Sequence, residues 1–362
     1  MNCKSLLALV ATFTIAQYTM AQEVQQVTVG DNMNFGITYS LPKTAVRATI
    51  DAICTKSMAG PYAAYAEKFL GLTDVLLEDQ VHWEVQRITL DNYAVADSSR
   101  TYHIEFNSKG ALPTFYFTED RCLWAINQKP QTPAAKVAVT EGTRELNAGK
   151  PIMKASDVLT GEILKAGSKV KQAELVAQEI FGIRESRSLL IKGEADNMPG
   201  DGASLQLMLD NLTAQEEALL SLFVGSTSTS TKRQAVSYVP ADNAERELLF
   251  RFSELLGLVD ADDLAGAPYY ISVKVTEDNR MAELDEKNRK KADKGLAFCV
   301  PGKAHVTLFS ATETLAAGDM YMGQFGHVEQ LPTTLFTDKK KPAGALFTPT
   351  TGAVRVVDLS AQ

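Results

Sequence analysis

The hydropathy pattern predicts an α+β fold: two β-rich domains with a helical hairpin between them, the second domain sandwich-like or barrel-like. Three observations carry this. Apolar residues recur with period two from Val24 to Val137, follow helical spacing from about residue 155 to Phe223, and return to period two from Ala235 to Val357. The expected divisions are a signal peptide at 1–21, an N-terminal α+β domain at 22–150, the hairpin at 151–224, a Ser/Thr-rich linker or loop at 225–233, and a C-terminal β-rich domain at 234–362.

The opening residues have a signal-peptide layout: Lys4, the apolar run Leu6 to Ile15, a polar stretch Gln17 to Thr19, and small side chains at Thr19 and Ala21 before Gln22. The apolar run is about half of the roughly 20 residues a membrane-spanning helix needs. Cleavage is expected after Ala21, with Ala16 as the alternative. Cys3 precedes the apolar run, whereas a lipoprotein carries its cysteine directly after it, so no lipid anchor is expected. No later stretch approaches spanning length. The pattern predicts a soluble chain exported into a Gram-negative-type envelope, periplasmic or outer-membrane associated.

Forty-four acidic and 36 basic residues give a net charge of −8, and loss of Lys4 takes it to −9. An acidic chain without a global basic bias excludes nucleic acid as the main partner. Beyond Cys3 there are Cys54, Cys122 and Cys299, an odd number that cannot all pair within one chain. Alternation sets Cys54 beside Val46, Ala48 and Ile50, and Cys122 beside Trp124 and Ile126. Both are read as buried small hydrophobes in preference to a disulfide, an alternative that stays open. The strand Leu296, Phe298, Val300 turns Cys299 the other way, toward solvent or a neighbouring layer.

In chain order, Val46, Ala48 and Ile50 form the apolar face of one strand, Val81, Trp83 and Val85 that of a second, and Tyr102, Ile104 and Phe106 that of a third. Thr114 to Thr118, the turn Glu119-Asp120-Arg121 and Cys122 to Ile126 read as a hairpin. A helix covering these strands is expected from Pro61 through Tyr62, Tyr65, Phe69 and Leu70, ending at Gly71. Val176, Ile180, Ile183 and Leu190 give the first helix of the central hairpin, and Gly193 with Pro199-Gly200-Asp201-Gly202 breaks it. Leu205, Met208, Leu209 and Leu212 give the second, with Thr213 and Glu216 spaced as a capping box where the helix restarts and runs to Phe223. The run from Gly225 to Thr231 reads as a flexible linker or long loop. Strands return at Ala235 to Val239, Glu247 to Phe252, Tyr269 to Val275, Leu296 to Val300, His305 to Phe309 and Val354 to Val357. No repeat of 20 to 50 residues points to a solenoid or propeller.

Several stretches resemble a family of exported proteins from Bacteroides-type bacteria catalogued as a domain of unknown function, number 4831. They are Gly36-Ile37-Thr38-Tyr39-Ser40-Leu41-Pro42-Lys43-Thr44, Ile183-Arg184-Glu185-Ser186-Arg187 through Gly193-Glu194, Met198-Pro199 with Asp201-Gly202, Leu258-Val259-Asp260 to Gly266 with Pro268-Tyr269-Tyr270, and Gln324-Phe325-Gly326 with Leu331-Pro332. The resemblance implies export and a multi-domain build. It carries over no activity and no catalytic residue.

The sharpest polar constellation is a pair of H-x-E strands, His82 with Glu84 and His103 with Glu105. Residues two apart share a strand face, so in a suitable register two imidazoles and two carboxylates would converge as zinc ligands. The competing reading places both on the solvated face opposite Trp83 and Ile104. Asp260, Asp262 and Asp263 resemble part of a calcium loop, although Leu264 and Ala265 stand where the EF-hand needs an oxygen ligand and a glycine. Arg184 and Arg187 are spaced to clamp a carboxylate or phosphate, or to form ion pairs within the protein. The basic runs Lys287 to Lys294 and Lys339 to Lys341 are solvated loops or contacts for anionic headgroups. No phosphate loop, dinucleotide fingerprint, H-E-x-x-H, C-x-x-C or G-x-S-x-G occurs. The sequence is read as a noncatalytic binding or scaffold protein of the envelope, with envelope proteins or glycans as partners. The alternative is a metal-dependent hydrolase built on the H-x-E strands.

Overall fold

The computed structural model describes residues 36–105, 112–130, 142–145, 153–281, 295–338 and 340–359. The expected signal peptide, Phe106, the basic run 287–294 and Lys339 lie outside the described residues. The fold is α+β and β-rich, with a curled sheet forming a half-barrel.

Strand β1 (Gly36–Met58) is the spine. It pairs antiparallel with β2 (Gln80–Glu105) on one side and with β6 (Ser226–Tyr238) on the other, and β5 (Gly142–Glu145) completes this first sheet in the order β2-β1-β6-β5. A second sheet runs β11-β10-β9-β7-β8, built from β7 (Ala244–Ser253), β8 (Gly257–Val259), β9 (Ala267–Glu277), β10 (Gly295–Phe309) and β11 (Thr314–Pro332). A third runs β13-β12-β4-β3, from β3 (Phe115–Phe117), β4 (Leu123–Ile126), β12 (Gly344–Phe347) and β13 (Val354–Asp358).

β1 passes through two cores in turn along its length. Its even-numbered Val46, Ala48, Ile50 and Ala52 pack against Phe250, Ile271, Val306, Leu308 and Phe325 of the second sheet. Its odd-numbered Tyr39 and Leu41 join Leu123, Ile126, Leu296, Ala345 and Phe347 in the other core. The Tyr39 hydroxyl donates to the carbonyl of Ala297 at 2.8 Å, and burial pushes its pKa up. At the junction, Gln324 accepts from the Thr44 amide and donates to the carbonyls of Thr44 and Pro240. A side-chain amide therefore satisfies backbone groups of β1 that no strand reaches.

Both sheet-bound cores thus draw on residues from before 150 and after 234, so the expected boundaries do not divide the β structure into two separate domains. The Ser/Thr run expected as a linker is the start of β6, paired with β1 from Met58↔Ser226 onward. Thr is a good strand former, and a neighbouring ladder supplies the order that composition alone does not show. The two strands expected at 296–300 and 305–309 are one strand, β10, with an irregularity between Val300 and Gly302. The alternation of β11 is masked by Gly318, Gly323 and Gly326. Gly323 is there for close approach: a Cβ on it would lie 2.7 Å from the Pro42 carbonyl oxygen.

The helices form a third core without any strand residue. A 3-10 turn at Ala63–Tyr65 leads into α1 (Ala66–Leu70), closed by Gly71 at φ 69° as expected. This helix does not cover the strands. Tyr62 and Ala66 pack instead with Ile163 of α2 (Gly161–Lys165) and with Val176, Ile180 and Ile183 of α3 (Lys169–Lys192) and Leu219 and Phe223 of α4 (Gly202–Val224). The Tyr62 amide donates to the Leu222 carbonyl at 2.8 Å, tying the root of the hairpin to the end of β1.

Where β2 passes Ser40 and Pro42 of β1, the register skips from Thr101 to Ala96. Within the skipped segment Asp97 is 2% exposed. Burial alone would raise its pKa, but hydrogen bonds from the Ser99 side chain and amide and from Lys43, 3.1 Å away, outweigh burial and hold it below the ordinary carboxylate value. A lowered folded pKa gives stabilisation that is complete above the unfolded value of about 3.9 and is lost as pH falls through the folded value. Asp97→Asn is therefore expected to cost about 1–3 kcal/mol at pH 7. Its deficit against the parent in urea unfolding should shrink below about pH 4. A deficit that stays constant down to strongly acidic pH would contradict this.

Candidate functional site

The helical hairpin exposes several large apolar side chains. Ser168 starts α3 by accepting from the Lys171 amide, and Gly193 ends it in the left-handed region at φ 74°. Asp201 starts α4 by accepting from the Ser204 amide. The expected capping box does not form: Thr213 donates back to the Leu209 carbonyl at 2.8 Å, and α4 runs through without a restart.

Glu216 has a different task. Arg184 Nε and Arg187 Nη1 each lie 2.6 Å from its carboxylate, and Glu216 is buried. The carboxylate expected between these two arginines is thus the chain's own, and it fixes the two helices against each other at mid-length. Toward the root, both helices are packed in the helical core. Beyond Glu216 toward the tip, no residue of α4 from 202 to 215 is buried, although the stretch holds Leu205, Leu207, Met208, Leu209 and Leu212. Of Leu205, Met208, Leu209 and Leu212, expected to give this helix, none is fully buried.

Around this distal half Leu207 is 64% and Ile191 67% exposed, with Phe181, Leu189, Met198 and Met208 also exposed. Between the helices at the tip lies an open cleft of about 400 Å³, walled by Leu189, Leu190, Ala195, Met208 and Leu212 and rimmed by Asp196. The sequence held a signal for these residues: Leu205-Gln206-Leu207-Met208-Leu209 spreads apolar groups around more of the helix than one buried stripe can use.

The H-x-E constellation is not assembled. His82 and His103 sit on one strand, β2, opposite Thr55 and Thr38 of β1 respectively, and at about 3.3 Å per residue no single ion reaches both. His82 and Glu84 are exposed, while His103 lies 3.0 Å from the Thr38 hydroxyl; the Glu105 side chain lies outside the described structure. His82, Glu84 and His103 occupy the polar face opposite Trp83 and Ile104. In the aspartate turn, the Asp263 carboxylate accepts from the Ala265 amide, and Arg251 donates to the carbonyls of Ala261 and Gly266. A guanidinium thus takes carbonyl oxygens that a calcium ion would need, so the turn does not fit that ion.

Cys54, Cys122 and Cys299 are all buried free thiols. Cys299 does not face solvent: it is buried with its Sγ 3.3 Å from the Gly323 carbonyl of the adjacent strand β11, and burial pushes the thiol up to about 11. It stays protonated at neutral pH, which removes it as a nucleophile. His305 lies 2.7 Å from Asp319 on the exposed face of β10, and His327 lies in β11 with Nδ1 2.8 Å from the Asn279 carbonyl. The amides of Lys340 and Lys341 donate to Asp338, so that basic run is a closed turn. Among the described residues, no helix is long and apolar enough to cross a membrane.

Compared with known proteins, residues 35–355 match the family model described as Domain of unknown function (DUF4831). No curated protein and no solved structure matches the chain.

Proposed function

The chain belongs to the DUF4831 family over residues 35–355, and from that premise we infer that it is an exported, noncatalytic binding or scaffold subunit of a bacterial cell envelope, docking through the distal half of its helical hairpin. The observation that carries this reading is the tip cleft lined by Leu189 and Met208, with Ile191 and Leu207 exposed on the same distal half, apolar groups that the rest of the described chain leaves in solvent. Apolar groups exposed beside an open cleft favour association. The apolar walls suit a protein partner better than a glycan. Export rests on Lys4, the run Leu6 to Ile15 and the small residues before Gln22.

A photo-reactive amino acid at position 207 tests the reading in the native envelope. One discrete cross-linked adduct is expected, and it should disappear when Met208→Asp is added. That substitution should change stability by less than about 0.5 kcal/mol, because Met208 is exposed. Absence of any adduct from position 207 in intact cells would overturn the docking role.

A further inference from the structure

The second sheet turns one face to the core and the other to solvent. Ile271 and Val273 of β9, with Ala304, Val306 and Leu308 of β10, lie in the core, so their neighbours along each strand point outward. The outward residues stand in rows: Tyr270 beside Phe309, Ser272 beside Thr307, Lys274 beside His305, with Asp319 and Tyr321 of β11 opposite His305 and Lys303. Folding does not account for the aromatic members of these rows. Tyr270, Phe309 and Tyr321 belong to none of the three cores, and Tyr321 is 56% exposed. Tyr270 and Phe309 stack with centroids 5.8 Å apart, and the Arg246 guanidinium lies 4.0 Å from the Tyr270 centroid. From Phe309 to Lys303, beside Tyr321, the strip runs about 20 Å at about 3.3 Å per residue.

We propose that this strip binds an uncharged polysaccharide, a role separate from docking through the hairpin. A hexose presents an apolar C–H face that packs on an aromatic ring and a rim of hydroxyls that donate and accept hydrogen bonds. The strip has a counterpart for each. Tyr321 stands at one end and the Phe309–Tyr270–Arg246 stack at the other, where a stacked guanidinium adds planar surface and several donors. Between them, the Ser272 and Thr307 hydroxyls and the Lys274 ammonium make no side-chain hydrogen bond among the described residues. A protein interface has the opposite plan, with apolar groups at its centre and polar groups at its rim.

The charges also favour an uncharged ligand. Against Arg246, Lys274 and Lys303 stand Asp319, Glu245 and Glu277 on the same strands, and Glu313 at the adjoining turn adds a further carboxylate. Asp319 is bonded to Lys303 at 3.0 Å and His305 at 2.7 Å, and Arg280 at the border is closed by Asp242 and Asp278. No cationic excess is left for a phosphate chain or an anionic glycan.

Affinity electrophoresis of the purified protein in gels containing galactomannan, mixed-linkage glucan or starch tests this, with polygalacturonate as the anionic comparison. At least one neutral polysaccharide should retard the protein with an apparent Kd below about 1 mM, and polygalacturonate should not. Tyr321→Ala and Thr307→Val should each weaken that binding at least about tenfold. Tyr321 is exposed and valine keeps the shape of threonine, so the circular dichroism of both variants should match the parent. Met208→Asp, at the hairpin tip, should leave the retardation unchanged, which separates this site from the docking surface. No retardation in any neutral gel, retardation by polygalacturonate alone, or binding indifferent to both strip substitutions would overturn the proposal. A photo-reactive amino acid at position 321 that captures a protein in the native envelope would give the strip to a protein partner and overturn it equally.

Discussion

Phe325→Ala is expected to lower the unfolding free energy by about 3–5 kcal/mol, among the largest effects of any single substitution in this chain. The ring is fully buried between the first and second sheets, in the core that also holds Val46, Ile50, Phe250 and Leu308. Truncation to Ala leaves a cavity that the surrounding strands cannot close, because β1 and β10 are held on both sides by neighbouring strands. The loss should also reach the other β core. β1 and β10 each run through both cores, Tyr39 and Leu296 in one and Val46 and Val306 in the other. The chain has two tryptophans, Trp83 on β2 and Trp124 on β4. Variants retaining one or the other should report the same shifted urea midpoint in the Phe325→Ala background. A Trp124 signal that keeps the parent midpoint while the Trp83 signal moves would show that the cores unfold independently.

Leu219→Asp is expected to be at least as severe but confined to the helices. Leu219 is fully buried in the helical core. The change forfeits about 1.5–3 kcal/mol of burial and places a carboxylate where desolvation costs several kcal/mol more. Residues of α1 to α4 make up that core together with the turns that flank them, and none of its members lies on a strand. Amide hydrogen exchange should therefore lose protection across α3 and α4 while β1 and β10 stay protected, a sub-global opening of one cooperative unit. Uniform loss of protection in all three sheets would show that the helical core is integral to the β structure.

The contrast between these outcomes reflects how far each part was legible in the sequence. The hairpin was readable because Val176, Ile180, Ile183 and Leu190 repeat at helical spacing and Gly193 and Asp201 mark its ends; all four apolar residues are buried. The β3–β4 hairpin was readable for the same reason, since Phe115 pairs with Ile126 across a turn whose Arg121 adopts a positive φ of 58°. Such features are local, set by the period of the chain and the chemistry of a few capping or turn residues.

Partnership was not legible. Periodicity tells which face of a strand is buried but not which strand lies beside it, so the pairing of β1 with β6 across nearly 200 residues left no local trace. The same ignorance of register let His82 and His103 be imagined on facing strands, when both lie on β2. It also left the carboxylate between Arg184 and Arg187 unidentified until Glu216 of the next helix was placed there. By itself, then, the sequence determined the α+β class, the buried faces and the helical hairpin. The tertiary structure decided the interleaved cores, the closed arginine clamp and the uncovered hairpin tip, because each depends on contacts between residues whose separation along the chain carries no energetic signal until the sheets have formed.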